Sequence, residues 1–575
     1  MKTKKTISKL IAGAGIALAT ATPSFGQLNL GASCGCPPVS ARTTVTVSQL
    51  PGFTLVPSSS GGELTTGANF TCDKTYILDQ KIYVPAGQIL QIQPGTIIKG
   101  RVAPLVGGVP DPAQATALII ERGARIIASG QSDCPIVFTA EADPMDGSFS
   151  IANKGQWGGV LLLGKASNCL SLAANGPFVA GSGNGKLAVA DGLGTIEGFA
   201  NSIIQDRFGV NTSATAVAGE LSSQVFDDND NSGILKYVSI RYAGAILTVG
   251  SEINGLTLGS VGRGTTIEHV DIISAADDNI EFFGGTVNIK YVSGLFGNDD
   301  MFDYDLGYSG KGQFLFGMKG DLTFSQDADN GIEADSDDQK SNNFPRSTPV
   351  FYNMTLMGNT KTVLTSDNSG IAAIKAKELT GGEIYNCVFA NFREGFDLIQ
   401  ALGTRAGTSE SYHNWSTANG NGTLILKVKC NTFVGCTNPL TIANATTALV
   451  AADITQFGTT DLNNVIVGNT LPGFDYNFVV NTTTNAFTTR NDVVPNPALT
   501  VVGCPVPPVD GFYVQAAYRG AFASTGTNWL SDWTYSEFLN MTKGLQPCPT
   551  DINKDGTTDV NDFLIFAPAF GTTCN

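Results

Sequence analysis

The chain has 575 residues, 50 acidic side chains against 34 basic ones, a formal charge of −16 and only two histidines. That acidity argues against nucleic acid and anionic membranes as partners, and for divalent cations or plain solubility. With 67 glycines and a hydrophobic share of 42%, the composition fits many short buried strands joined by turns and excludes a helical protein.

The chain opens with Met1, Lys2, Lys4 and Lys5 ahead of an apolar, small-residue run from Ile11 to Ala21. A charged stretch followed by a short apolar one is an export signal, and Ser24 and Gly26 predict cleavage before Gln27. The run is too short, and too rich in Gly, Ala and Thr, to span a bilayer; no later stretch approaches that length, so no membrane insertion is expected. Loss of the four lysines in residues 1–26 takes the formal charge to −20. Leu30-Gly31-Ala32-Ser33-Cys34 offers a rival, a lipid anchor on Cys34, although its leucine stands one place too far away. All 11 cysteines lie beyond the signal, which suits an oxidising compartment. Their odd number leaves one thiol free or Cys34 lipidated.

Between Lys81 and Pro144 the runs KIYVPAGQ, ILQIQPGTIIKG, ALIIERGARIIASG and CPIVFTAEADP are too short for helices and rich in Ile, Val and Thr, so they predict strands. Further on, one pattern recurs: ILKYVSI from Ile234, TIEHVDI from Thr266, NIKYVSG from Asn288, VFYNMTL from Val350 and EIYNCVF from Glu383. The clearest pair is 22 residues apart and aligns Ile267 with Ile289, Val270 with Val292, Asp277-Asp278 with Asp299-Asp300, and Gly285 with Gly307. A third copy, 30 residues on, aligns Asp329-Asn330-Gly331-Ile332-Glu333 with Asp299-Asp300-Met301-Phe302-Asp303, and a weaker fourth is Arg393-Glu394-Gly395-Phe396-Asp397. Units of two or three short strands cannot bury a face alone and must stack. The expected fold is therefore all-β, a right-handed parallel β-helix with matched positions about 4.8 Å apart.

The segments TCDKTYILDQKIYVPAGQILQIQPGTIIKG, QWGGVLLLG, NGLTLGSVGRGTTIEHVDIISAADDNIEFFGGTVN and YRGAFASTGTNWLSDWT, within Phe70 to Thr534, resemble a group of exported β-helix surface proteins of Bacteroidetes and some other Gram-negative bacteria. The resemblance implies fold and export, and little chemistry.

The repeat register puts Asp277, Asp299 and Asp329 on successive rungs, then Asp278, Asp300 and Asn330, then Glu281, Asp303 and Glu333. Carboxylates about 5 Å apart must share protons, hold a cation or fan out into water. Asp277, Asp278, Asp299, Asp300 and Asp303 are the catalytic candidates if the chain is an enzyme, since lyases and hydrolases of polysaccharides on this fold use such clusters. The structural alternative is that stacked turns align Asp, Asn and Gly without further role. Arg241, Arg263 and Lys311 could neutralise a uronate or act as a base, but stand in no motif. His269 replaces Tyr237 and Tyr291 of neighbouring copies and reads as structural, and His413 as a loop residue, so His-based triads and most zinc sites recede. Gly181-Ser-Gly183-Asn-Gly185-Lys186 lacks the first glycine and the Ser/Thr of a phosphate loop and reads as an excursion.

Tyr518, Phe522, Trp529 and Trp533 form an aromatic cluster expected to cap the open end of the solenoid, with sugar stacking as the alternative. At the C-terminus, Asp551, Asn553, Asp555, Thr557, Asp559 and Asp562, with Gly556 at the turn, have the spacing of an EF-hand-like Ca2+ loop. Asp562 replaces the usual glutamate and shortens the bidentate arm. The loop is similar to one half of a dockerin repeat; a full dockerin has two, which puts a cohesin-like partner in doubt. Cys548 and Cys574 flank the loop and are expected to pair, with Cys504 as the other choice for Cys548; Cys72–Cys134 and Cys387–Cys430 are weaker pairings.

The resulting organisation is a signal peptide at 1–26, an irregular linker at 27–69, a β-helix at 70–508, an aromatic capping region at 509–547 and a calcium-binding repeat at 548–575. The favoured function is a secreted or cell-surface protein with a structural, adhesive or glycan-binding role. The alternative is a polysaccharide lyase or glycoside hydrolase acting on acidic polysaccharide, against which the chain lacks the Gly-His-Gly turn of the hydrolases.

Overall fold

The computed structural model describes residues 30–539, apart from 57–60, 112–113, 171–191, 198, 200–202, 215–216, 249–250, 321–329, 337–344, 360–371, 400–410, 416–424, 444–450, 459–462, 469–470, 472–473, 475–479, 482–485, 488–498, 500 and 525–527. The export signal, the Gly181–Lys186 stretch, Asp329, the side chain of His413, and the whole C-terminal calcium loop with Cys548 and Cys574 lie outside the described residues.

Alternating residues in each short run turn every second side chain inward. In Ile280–Phe283, Ile280 and Phe282 enter the main core while Glu281 and Phe283 face outward. Parallel pairing repeats this from coil to coil, so that Leu256–Gly259, Ile280–Phe283, Phe302–Asp305, Ile332–Ala334, Ala372–Ala376 and Glu394–Ile399 lie side by side in a sheet of 12 strands. The other strands of each coil form a second parallel sheet of 17. Gly233–Arg241 in that sheet pairs with two separate strands of the coil before it, Ile126 with Gly233 and Ile136 with Val238, so it is two strands joined at a crease. The crease residue is Tyr237, and the residues stacked on it, His269, Tyr291, Phe314, Asn353, Asn386, Cys430 and Asn463, all have φ between 46° and 62°. A three-sided coil with parallel rungs is a parallel β-helix.

The 22-residue register holds. Val270 lies opposite Val292 and Ile267 opposite Ile289, and both valines are fully buried in one core. Glu281, Asp303 and Glu333 follow one another on adjacent rungs. The fourth copy is two rungs further on and not one: Lys375 pairs with Glu333, and Asp397 with Lys375. The intervening strand, Ala372–Ala376, is mostly alanine and gives little periodic signal.

Both ends of the solenoid differ from expectation. Residues 43–70 are no linker: Thr43–Thr46 pairs with Lys74–Ile77, Gly61–Glu63 with Lys81–Tyr83, and Val47 is fully buried in the core. The far end is closed by the helix Ala451–Gly458, whose Phe457 ring stacks 6.3 Å from Phe396 and lies 5.2 Å from Phe433. Trp415, fully buried, edges Phe396 from another side.

The aromatic region after Pro508 is therefore a flank strap and no end cap. Left-handed backbone at non-glycine residues is costly, and the crease offsets the cost by stacking rings: Tyr237 on His269 at 4.4 Å, His269 on Tyr291 at 4.5 Å, Tyr291 on Phe314 at 5.0 Å. Trp533 stands edge-on to Tyr237 and His269, while Trp529 covers Tyr291 and Tyr518 covers Phe314. Asn353 donates to the carbonyl of Tyr518, and the Tyr535 N–H donates to the buried carboxyl of Asp271 at 2.9 Å. His269 is thus a member of an aromatic stack.

Disulfides join Cys34 to Cys134, Cys36 to Cys72 and Cys430 to Cys504. The expected Cys72–Cys134 and Cys387–Cys430 pairs do not form, because residues 34–36 fold back beside both Cys72 and Cys134, and because the strap brings Cys504 to the crease. Cys504 is thereby unavailable to Cys548, and Cys34 to a lipid. Among the described residues Cys169, Cys387 and Cys436 are free thiols.

Candidate functional site

The outward face of the 12-stranded sheet carries a row of polar side chains in register: Thr257, Glu281, Asp303, Glu333, Lys375, Asp397 and Thr441. Its acidic end is concentrated. Asp278, Glu281 and Asp303 offer carboxylate oxygens that all lie within 4.8 Å of one another, and Asp277, Asp278 and Asp299 form a second such triad. These groups do not fan out into water: Asp278 is 5%, Glu281 4% and Asp303 7% exposed. Packed carboxylates in a dry recess demand protons or a cation.

The turn before each rung supplies the next part. Asp278 Oδ1 accepts the Asp300 N–H at 2.7 Å, Asp300 Oδ1 accepts the Asn330 N–H, and Asn330 Oδ1 accepts the Ala372 N–H at 3.1 Å. An Asp or an Asn does this equally well, which explains their exchange down the ladder. Burial, then the neighbouring charges of Asp277 and Asp299, push the Asp278 carboxyl well above the carboxylate range. Burial does the same to Asp300, with Asp299 and Glu333 adding to it. Of the five candidates, Asp277, Asp278, Asp299 and Asp303 therefore converge in the triads, and Asp300 serves the turn ladder.

Asn254, 1% exposed, closes one side of the recess. Its amide nitrogen donates to Glu281 at 2.5 Å, and its Oδ1 finds no hydrogen-bond partner among the described residues. Asn254 precedes its strand and has no counterpart in the repeat, so periodicity could not reveal it.

Two rungs on, the charge is balanced. Glu333 pairs with Lys375 at 3.2 Å and Lys377 at 2.7 Å, and Lys377 reaches Asp335 at 3.1 Å. Burial opposes the ionisation of Glu333, but Lys377 and Lys375 outweigh it and bring its pKa down to about 2. Burial likewise opposes the charge on Lys377, and Asp335 and Glu333 overcome it, holding the ammonium firmly protonated. The three basic residues nominated from sequence are engaged elsewhere: Arg241 lies over the Tyr535 ring at 4.0 Å, Arg263 pairs with Asp228 at 3.6 Å, and Lys311 pairs with Asp510.

A family profile described as pectate-lyase-like β-helix domain matches residues 62–197 and 173–461. The chain belongs to that family. Within this pectate-lyase-like β-helix, the matched residues include both carboxylate triads and the lysines, and end before the strap. No curated protein and no solved structure matches the chain. Among the described residues no helix is long and apolar enough to cross a membrane.

Proposed function

We propose that this is an exported surface protein that binds acidic polysaccharide without cleaving it, through a calcium ion held by Asp278, Glu281 and Asp303. The observation that carries the reading is the buried carboxylate triad. Its oxygens lie within 4.8 Å of one another, a spacing that oxygens around one Ca2+ at 2.3–2.6 Å satisfy. The donor set is hard oxygen throughout, and the buried Asn254 Oδ1 is a further neutral oxygen at the same recess. A bound calcium ion would neutralise the recess and offer coordination positions to a uronate carboxylate. That bridge matters because the chain itself is strongly acidic and would otherwise repel a polyanion. A second calcium ion is proposed for Asp551, Asn553, Asp555, Thr557, Asp559 and Asp562.

One observation favours the lyase or hydrolase alternative: a protonated Asp278 beside Glu281 and Asp303 has the split acidity of an acid–base pair. Two others oppose it. Asp278 Oδ1 is engaged by the Asp300 N–H, and Lys377, the lysine closest in register, is held as an ammonium and cannot serve as a neutral base. Affinity electrophoresis in polygalacturonate and alginate gels, with calcium or with a chelator, tests the reading. Retardation should require calcium and vanish in Glu281→Gln with Asp303→Asn, with no unsaturated or reducing sugar released. Retardation unaffected by chelation overturns the bridge. Sugar release abolished by Asp299→Asn or Asp300→Asn would make the protein an enzyme.

A further inference from the structure

Between the strands Val160–Leu163 and Gly233–Arg241 the chain leaves the helix on a long excursion, whose described part includes an antiparallel hairpin, Leu193–Thr195 against Arg207–Gly209. The hairpin lies on the outward face of the 12-stranded sheet. Tyr83, Ile119 and Leu161 stack there in register, and together with Phe283 they form one apolar cluster with Ile196, Phe199 and Phe208 of the excursion. Phe208 stands 5.8 Å from Phe283, the outward neighbour of Glu281 on the same strand. The roof thus extends to the rung that carries the acidic recess.

Its fastening on the far side is largely ionisable. Tyr83 donates to Asp206 at 2.9 Å, Gln205 donates to Glu63 at 2.9 Å, and Lys81 sits 4.5 Å over the Phe199 ring. Arg122 donates to the Gly209 carbonyl at 3.2 Å and pairs with Glu220, while Arg207 lies on the hairpin itself. Glu121 is left among these groups with an Oε1 that is buried and has no hydrogen-bond partner among the described residues. Three carboxyls, from the N-terminal strand, the solenoid and the excursion, therefore meet under the roof's edge.

We infer that the excursion spanning residues 192–232 is a proton-operated lid, closed over the outer face in acid and loosened above neutrality to open the Tyr83–Ile119–Leu161–Phe283 strip beside the recess. Burial, then the charge of Glu63, push the Glu121 carboxyl up to about 8, with Arg122 opposing and Asp206 adding. Burial pushes Asp206 up to about 6 against the pull of Lys81 and of the Tyr83 hydroxyl. Both folded values lie above the ordinary carboxylate range, so the closed state binds protons that an open state releases. The closing contribution is complete below pH about 4 and is lost as pH rises through about 6 and then about 8.

Hydrogen exchange of the full chain, corrected for intrinsic rates and followed by mass spectrometry at pH 6 and pH 9, tests this. Amides of 193–195 and 207–209 should lose about tenfold more protection at pH 9 than those of 289–295, since one pKa unit is tenfold. Glu121→Gln should keep the protection at pH 9. Equal protection at the two pH values, or the same loss in Glu121→Gln as in the parent, overturns the lid. Should Glu121→Gln fail to fold, the parent's pH profile decides: a midpoint between 6 and 8 supports the lid and a flat profile refutes it.

Discussion

Asp303→Asn separates a cation-binding recess from a merely structural ladder, because it should raise stability without calcium and lower it with calcium. Asp303 shares its triad with Asp278 and Glu281 at up to 4.8 Å, and burial keeps Asp278 neutral, so Glu281 is the charge it faces. Two unit charges at that distance repel by about 3.5 kcal/mol at an effective dielectric constant of about 20. With allowance for relaxation and for the weaker hydrogen bonding of an amide, the metal-free variant should gain ~1–3 kcal/mol. Unfolding entropy of about 2 cal/mol/K per residue over a chain of this length turns that into a Tm about 1–3 °C above the parent. Calcium at about 100 times its Kd adds about 2.7 kcal/mol to a protein that binds it, so the parent should gain about 3 °C at this site and the variant should not. Scanning calorimetry in chelator and in calcium reads both signs. A metal-free variant that melts below the parent, or equal calcium shifts in the two proteins, would refute the reasoning.

Trp533→Ala removes a ring that is 1% exposed and packed edge-on to Tyr237 and His269; it should cost about 3–5 kcal/mol and make residues 505–539 the first site of limited proteolysis. Glu333 has a folded pKa of about 2 against an ordinary 4.5, so its contribution is present above pH 4.5 and lost as pH falls through 2. Glu333→Gln should therefore cost about 3 kcal/mol at pH 7 and flatten the stability profile between pH 4.5 and 2, as measured by denaturant titration. Peptide mapping of the unreduced protein should recover Cys34–Cys134, Cys36–Cys72 and Cys430–Cys504, and a Cys72–Cys134 peptide would contradict the N-terminal arrangement.

The solenoid was legible in the sequence where adjacent coils keep their length. Between Thr266 and Leu295 two copies 22 residues apart suffice to set the register of Val270 on Val292 and of Glu281 on Asp303. Legibility failed where insertions or plain side chains interrupt it, as at Ala372–Ala376, and where strands near the N-terminus are rich in Ser, Thr and Gly like the linkers they resembled. The strap was misplaced because aromatic content says that a surface is covered without saying which; only the stacked left-handed residues at the crease reveal a groove along the flank. The acidic recess was visible as a ladder, yet its depth was not, because burial of Glu281 and Asp303 depends on what lies over the outer face. Asn254 and the pairing of Glu333 with Lys375 and Lys377 come from positions outside the repeat signal.

Calorimetric counting of calcium ions tests the central claim most directly. Titration of the full mature chain should give two ions per molecule: one lost in Glu281→Gln with Asp303→Asn, the other lost in Asp551→Ala with Asp555→Ala. A single ion that survives the first pair of substitutions in full would contradict a cation site on the outer face of the β-helix.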